Sequence, residues 1–239
     1  PDRLRAAYDA ALVAHGMPAG DFRPVVDCRI IPHAPLTAGA LAIGGHVPGI
    51  MSVTATEASA WLGADARNLT VPLAQVQTRV AAHFGISEHD AAQVLAAYRE
   101  DSPARSPWDL LVAVTSDALV RIPQRRAIEI KAAAGLAPVY ACEFAWLSPN
   151  RGGHWGAPHG IDVPCAFATM DANDLTREAP GIQEVSLAQM SAFVAMAHDG
   201  DTGNRAMPGW TPFNTAERPT MVINRTCALV ADYRPGDRR

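Results

Sequence analysis

The stretch IMSVTATEASAWL, residues 50–62, is the part of the sequence that decides the fold. With the residues just before it, its apolar beginning predicts a buried strand over residues 47–53. A turn follows, and Glu57 stands where the next helix is expected to open. Residues 56–135 are then predicted to be mostly helical, and a second strand is predicted over residues 139–146. Strands separated by helices indicate an α/β protein with a mainly parallel sheet.

Other segments fit the same architecture. Residues 3–14 have helical periodicity ending at Gly16, whereas the prolines in FRPVVDCRIIPHAP, residues 22–35, exclude a helix there. Within the helical part, a stripe at three- and four-residue intervals comprises Leu73, Val76, Val80 and Phe84. Two Ser/Asp pairs predict helix starts, and Gly135 predicts a helix stop. These pairs are Ser87 with Asp90 and Ser106 with Asp109.

The last third predicts a long helix and a short strand. The helix is amphipathic and is followed by Gly200; the apolar residues assigned to one of its sides are Leu187, Met190, Phe193, Val194 and Ala197. TMVIN, residues 220–224, predicts a strand. So few strands make a small sheet for so much helix, and we therefore expect part of the sheet to be missing from this chain.

The composition excludes several classes of protein. Of 239 residues, 49% are apolar and 18% are charged, which is typical of globular domains. The net charge of −4 argues against nucleic-acid binding. No apolar run approaches the roughly 20 residues that cross a bilayer. The four cysteines are far apart, so we expect reduced thiols rather than a zinc ribbon or a redox pair. The compartment is not decided, with a cytoplasmic location slightly favoured.

A second stretch whose residues could take part in catalysis is NRGGHWGAPHGIDVP, residues 150–164, which follows the second predicted strand. In open α/β sheets, active sites form on loops beyond the carboxyl ends of strands. Glu57 and His159 both meet this rule. An acid on one such loop and a histidine on the other can therefore converge, although about a hundred residues separate them.

Each residue also has a structural interpretation. Thr54 and Glu57 have capping-box spacing, so Glu57 could simply close a helix N-terminus. A histidine in a loop is often structural or exposed. A metal site made of His154, His159 and Asp162 is conceivable, but His-x4-His spacing suits a helix, and this loop contains glycines and a proline. We expect no metal and no cofactor.

Three stretches resemble the type-B carboxylesterases. Residues 22–35 resemble the family's P-V-V-D-G-x-x-L-P segment. VPGIMSVTATEA, residues 47–58, resembles the strand and turn that present the triad acid. GAPHGIDVPCAF, residues 156–167, resembles the block around the catalytic histidine.

Two further stretches extend this resemblance. WDLLVAVTSDALVRIPQRRAIEI, residues 108–130, with APVYACEFAWLSP, residues 137–149, is similar to the segment leading into the family's next strand. Residues 190–223 are similar to the terminal helix and the W-P-x-[FY] tail. The matches occur in order from residue 22 to residue 231. The resemblance implies that residues 1–239 form the C-terminal portion of an α/β-hydrolase fold, with a helical insertion, incomplete without the N-terminal half.

The resemblance also implies roles. His159 would be the general base of a Ser-Glu-His triad, and Glu57 would orient its imidazole. Gly156 and Gly160 would let the backbone approach the site. The chain has no G-x-S-x-G elbow and no HGGG-type oxyanion motif, which belong to the family's N-terminal half. Isolated, the chain is expected to be inactive, because it lacks the nucleophile.

Some residues depart from the family pattern. Cys28 and Ser52 stand where glycine is usual, Cys142 where an aromatic residue is usual, and Asp162 where glutamate is common. Ser52 is nearest to the acid and bears on the geometry of the turn. None of these departures removes a catalytic group.

Two functions follow as hypotheses. The first is a carboxylic-ester hydrolase that acts with its N-terminal half on small apolar esters, with Trp155, Phe167 and Met190 lining the pocket. The second is a non-catalytic, cholinesterase-like interaction protein, which the missing serine suggests. Retention of both an acid and a histidine favours the enzyme.

Overall fold

The computed structural model describes residues 2–14 and 24–238, which form two compact units, Pro1–Ala42 and Ile43–Arg239. In the first unit, helix α1 spans Asp2–Ala14, and its predicted end at Gly16 lies outside the described residues. Residues 24–35 have no regular secondary structure, as their prolines predicted. The Asp27 carboxylate there accepts hydrogen bonds from the backbone of residues 29–31. Helix α2, Ala38–Gly44, begins in this unit.

The second unit contains the remaining strands and helices. Its elements follow in chain order. They are β1 Gly49–Thr54, α3 Ser59–Gly63, α4 Leu73–Phe84, α5 Glu88–Asp101, α6 Pro107–Ser116, a π-helical turn Asp117–Arg121, α7 Ile122–Ala134, β2 Val139–Phe144, α8 Asp162–Ala166, α9 Ile182–Asp199, β3 Thr220–Ile223 and β4 Ala228–Val230. The second strand ends two residues before its predicted end at Trp146. Helix α3 begins at Ser59, after Glu57 rather than at it.

The strands form one four-stranded sheet in the order β1-β2-β3-β4. The first three are parallel, and β4 runs antiparallel to β3. Val53 lies beside Glu143, and Phe144 lies beside Ile223. The carboxyl ends of β1 and β2 therefore lie side by side at one edge of the sheet. The predicted, mainly parallel α/β architecture is confirmed.

Each face of the sheet packs against helices. Alternate β2 side chains point in opposite directions, as in any strand. Tyr140, Cys142 and Phe144 belong to the largest buried cluster, which includes residues of α9. Val139 and Ala141 belong to a cluster on the other side, which includes Ile128 of α7 and Phe213. Strand β2 is thus buried on both faces, as central parallel strands usually are.

The helical segment between β1 and β2 has its own small core. Val76 and Val80 of the predicted stripe are buried there, with Leu95, Leu110 and Val114 from the following helices. The two helix starts predicted from Ser/Asp pairs and the helix stop predicted at Gly135 are confirmed. The Ser87 side chain accepts from the Asp90 amide, Ser106 and Asp109 form a capping box, and Gly135 ends α7 with a positive φ of 64°.

The predicted apolar side of α9 is not its buried side. Leu187 and Val194 of that side are each more than half exposed, and Ala197 is exposed too. The buried residues are instead Ile182, Val185, Ser186, Ala188, Gln189 and Ala192. Polar Ser186 and Gln189 are thus on the buried side of α9, and apolar Leu187 and Val194 are on its exposed side.

No helix in the described part of the chain is long and apolar enough to cross a membrane.

Candidate active site

Two loops meet at the edge of the sheet where β1 and β2 end. The first is the acid turn, residues 54–59, between β1 and α3. The second is the histidine loop, residues 148–160, which follows β2. Because β1 and β2 are parallel neighbours, their carboxyl ends bring these loops into contact.

Glu57 and His159, separated by 102 positions, form a direct hydrogen bond. The distance from His159 Nδ1 to Glu57 Oε2 is 2.8 Å. The backbone N–H of His159 donates to the Glu57 carbonyl oxygen at 3.1 Å. Glu57 is 2% exposed, whereas the His159 side chain is 58% exposed. The pair thus consists of a buried acid and an imidazole with an open outer edge.

The other carboxylate oxygen of Glu57, Oε1, also accepts a hydrogen bond. The Thr54 amide donates to Glu57 Oε1 at 2.6 Å, which is the backbone contact expected from a capping box. Residues 55–58 form turns, however, and the helix begins only at Ser59. The bond therefore fixes the carboxylate rather than a helix end. An ionised carboxylate only accepts hydrogen bonds, so Nδ1 of His159 is the donor, and Nε2 carries the lone pair.

Thr56 joins the two loops through its backbone and its hydroxyl. Its amide donates to the Ala157 carbonyl at 3.0 Å. Its Oγ1 accepts from the Ala157 amide at 2.8 Å and donates to the Trp155 carbonyl at 2.8 Å. Gly156 lies between the two residues that Thr56 bonds and has a positive φ of 59°. A Cβ atom there would be 3.0 Å from Thr56 Oγ1. The family resemblance implied a close backbone approach at Gly156, which the structure shows, and at Gly160, where an added Cβ would have nothing within 4 Å. It did not point to Thr56.

Trp61 is another residue that the sequence analysis missed. Its ring centroid lies 5.1 Å from that of His159, with the two planes tilted by 44°. Trp61 is half exposed and lies on α3, the helix that follows the acid turn. The indole limits the orientations open to the imidazole.

A second acid lies close to the pair. Burial raises the pKa of Asp162, and the negative charge of Glu57 raises it further. The direct hydrogen bond of His159 Nδ1 is to Glu57, so geometry makes Glu57 the partner of the imidazole. Burial also raises the pKa values of the Cys142 and Cys165 thiols to about 12. Both thiols are therefore neutral near pH 7 and are poor nucleophiles.

The three residues assigned to a substrate pocket do not lie together. Trp155 lines a shallow depression with Arg151 and residues 172–175. Met190 lines a different one on α9, with Val194 and His198. Phe167 is 74% exposed. Trp155 and Met190 thus line separate depressions, and Phe167 lines neither of them. In the described chain, Glu57 and His159 meet, and the proposed pocket residues do not.

Comparisons with known proteins bear on this arrangement. The phenmedipham hydrolase of Pseudarthrobacter oxydans is 26% identical over 215 residues, covering 88% of this chain and 42% of that protein. Carboxylesterase EST55 of Geobacillus stearothermophilus has a TM-score of 0.74 at 19% identity, covering 96% of this chain and 47% of the other. An esterase from Clostridium hathewayi, described as hydrolysing aliphatic aromatic polyesters, has a TM-score of 0.61 at 20% identity, with coverages of 96% and 44%.

The structural matches have low identity and establish the fold, an α/β-hydrolase-like one. The chain spans less than half the length of these relatives. A sequence model of the carboxylesterase family matches residues 1–235, nearly the whole chain. The predicted resemblance is thus confirmed, and the chain belongs to the carboxylesterase family.

Proposed function

We propose that this chain is the C-terminal part of a carboxylic-ester hydrolase, in which Glu57 and His159 are the acid and the base of a Ser-Glu-His triad. The observation that supports this most is the 2.8 Å bond between a buried carboxylate and Nδ1 of a half-exposed imidazole. No described residue bonds Nε2 of that imidazole. An unprotonated, outward-facing Nε2 is what a general base requires.

The chemistry follows from this geometry. Nε2 of His159 takes the proton of an attacking serine hydroxyl, and the serine oxygen adds to the ester carbonyl carbon. As the tetrahedral intermediate collapses, the carbon–oxygen bond to the alcohol breaks, and the imidazolium returns its proton to the alcohol. Water then attacks the acyl-serine by the same path, which releases the acid. Glu57 stabilises the imidazolium in both stages without taking the proton.

The serine and the oxyanion donors would come from a segment encoded upstream of Pro1. The sequence has no G-x-S-x-G motif, and the buried thiols are neutral. Ser59, the serine within the acid turn, donates its hydroxyl to the Trp155 carbonyl. We call this chain assembled with its upstream segment the complete protein.

Two surfaces support the existence of such a partner. Among the described residues, β1 has a neighbouring strand on one side only, so its other edge can pair with a further strand. Four apolar side chains on α8, just after α8 and on α9 are each more than half exposed; they are Val163, Phe167, Leu187 and Val194. Apolar surface of this kind is usually covered in a stable protein. We propose small apolar esters as substrates, with a pocket completed by the partner.

A reconstitution experiment tests the proposal. The chain alone and the complete protein are each incubated with a fluorophosphonate probe and with short-chain nitrophenyl esters. We expect labelling of one serine and ester turnover in the complete protein, and neither in the chain alone. A complete protein that neither labels nor turns over ester would contradict the proposal and favour a non-catalytic binding role.

The contact at Gly156 leads to a separate prediction. In the complete protein, Gly156→Ala should lower the free energy of unfolding by about 1–3 kcal/mol, because its positive φ disfavours a side chain and its Cβ would press on Thr56. Urea unfolding measures this change. Gly85→Ala is the matched control, since Gly85 has a φ of 63° but nothing within 4 Å of the added Cβ. Equal losses in both variants would show that the close approach to Thr56 is unimportant.

A further inference from the structure

The acid turn is hydrogen-bonded to the π-helical turn Asp117–Arg121 and to Ser116, the residue before it. Arg121 Nη2 donates to the Ala55 carbonyl at 2.9 Å and to the Thr54 carbonyl at 3.3 Å. The Ser116 hydroxyl accepts from the Ala58 amide at 3.0 Å. These contacts fix the backbone on both sides of Glu57.

Arg121 is itself held rigidly. It is 4% exposed, its Nη1 is paired with Asp117, and its Nε lies 3.4 Å from Glu143 Oε2. Arg234 pairs with the other oxygen of Glu143 at 2.7 Å. Two guanidinium groups thus face two carboxylates; Arg121, Asp117 and Glu143 are buried, and the Arg234 side chain is 27% exposed. Buried ions require such opposite charges beside them. The Tyr98 hydroxyl donates to Asp117 Oδ2 at 2.6 Å.

The backbone of the π turn explains how the Arg121 guanidinium reaches the carbonyl groups of the acid turn. A π turn inserts an extra residue into a helix and is frequent at functional sites. Here it joins α6 to α7 and directs Asp117 and Arg121 toward the end of β1. A guanidinium can serve two carboxylates and two carbonyls at once because its donors lie in a fixed plane. A lysine ammonium at the same place would keep the charge but not this set of directions.

We propose that Arg121, supported by Ser116, is a positioning residue that sets the orientation of Glu57 toward His159. The cluster of Asp117, Arg121, Glu143 and Arg234 is then a rigid support for the acid turn rather than only part of the protein core. The effect of Arg121 on ester hydrolysis rests on the function proposed above, but its effect on the bond between Glu57 and His159 does not.

The test uses Arg121→Lys and Ser116→Ala in the complete protein. Arg121→Lys preserves the buried charge, and Ser116→Ala removes a single hydroxyl, so the two variants disturb the acid turn through different atoms. Arg126→Lys is the control, since Arg126 is exposed on the adjoining helix α7. The readouts are kcat per fluorophosphonate-titrated site, KM, and the deshielded proton signal of the Nδ1–H bond between His159 and Glu57, assigned by its loss in His159→Gln.

We expect Arg121→Lys to lower kcat per active site by about 10- to 100-fold with KM unchanged, because a small misplacement of a catalytic group has effects of this size. The proton signal should broaden or vanish, Ser116→Ala should act in the same direction, and Arg126→Lys should match the wild type. An Arg121→Lys protein that melts earlier but keeps both its kcat per site and its proton signal would overturn the proposal. If the wild type hydrolyses no ester, the proposed function fails, and the proton signal still decides the role of Arg121.

Discussion

Replacing His159 with glutamine should lower kcat of the complete protein by about 10⁶-fold, the loss seen when the base of a comparable triad is removed. Without the imidazole, nothing accepts the serine proton or returns it to the leaving alcohol. The fold should be unaffected, since the His159 side chain is 58% exposed. Steady-state ester hydrolysis, with the fraction of folded protein checked by urea unfolding, measures the effect.

His154→Gln is the matched control for this substitution. His154 is exposed in the same histidine loop, and its side chain makes no contact with Glu57 in the described structure. We expect this variant to keep its activity to within a few-fold. If His154→Gln were the variant that abolished hydrolysis, and His159→Gln retained it, the assignment of the base would be wrong.

Glu57→Gln should lower kcat by about 10⁴-fold, because it imposes the wrong imidazole tautomer. The Thr54 amide donates to one oxygen of Glu57, so the glutamine carbonyl must occupy that position. The glutamine NH₂ then faces His159 Nδ1, which has to become an acceptor, and the ring proton moves to Nε2. A protonated Nε2 cannot take a proton from serine.

The corresponding control is Glu184→Gln, an exposed glutamate on α9. It changes the net charge equally and should leave kcat unchanged. Glu57→Asp should fall between the wild type and Glu57→Gln, since the shorter acid keeps the charge but loses reach. A Glu57→Gln variant as active as the wild type would remove Glu57 from the mechanism.

Glu57 and His159 could be predicted from the sequence because each residue lies in a short, recognisable stretch. An apolar run followed by a turn and an acid, and a glycine-rich loop after a second strand, are each visible in a few residues. The rule that parallel strands end at one edge then places Glu57 near His159 without any knowledge of the packing between them. The family resemblance gave the same two residues, and the structure brings them within hydrogen-bonding distance.

The features that the sequence analysis missed depend on tertiary packing. Helix α9 has apolar residues all round, so periodicity does not say which side faces the sheet. Trp155, Phe167 and Met190 are near the site in sequence, but Trp155 and Met190 line separate depressions, and Phe167 lines neither of them. Arg121 is buried, although it lies in a helical stretch that also contains Arg125 and Arg126. Its burial follows from the π turn, which no simple helical period predicts.

The most direct test of the proposed triad is a crystal structure of the complete protein with a fluorophosphonate bound to its reactive serine. We predict that the labelled serine Oγ lies within about 3.2 Å of His159 Nε2, which is hydrogen-bonding distance for a general base. The same structure should retain the bond between His159 Nδ1 and Glu57. A label on a serine whose neighbouring base is another residue, with His159 turned away from it, would contradict the account.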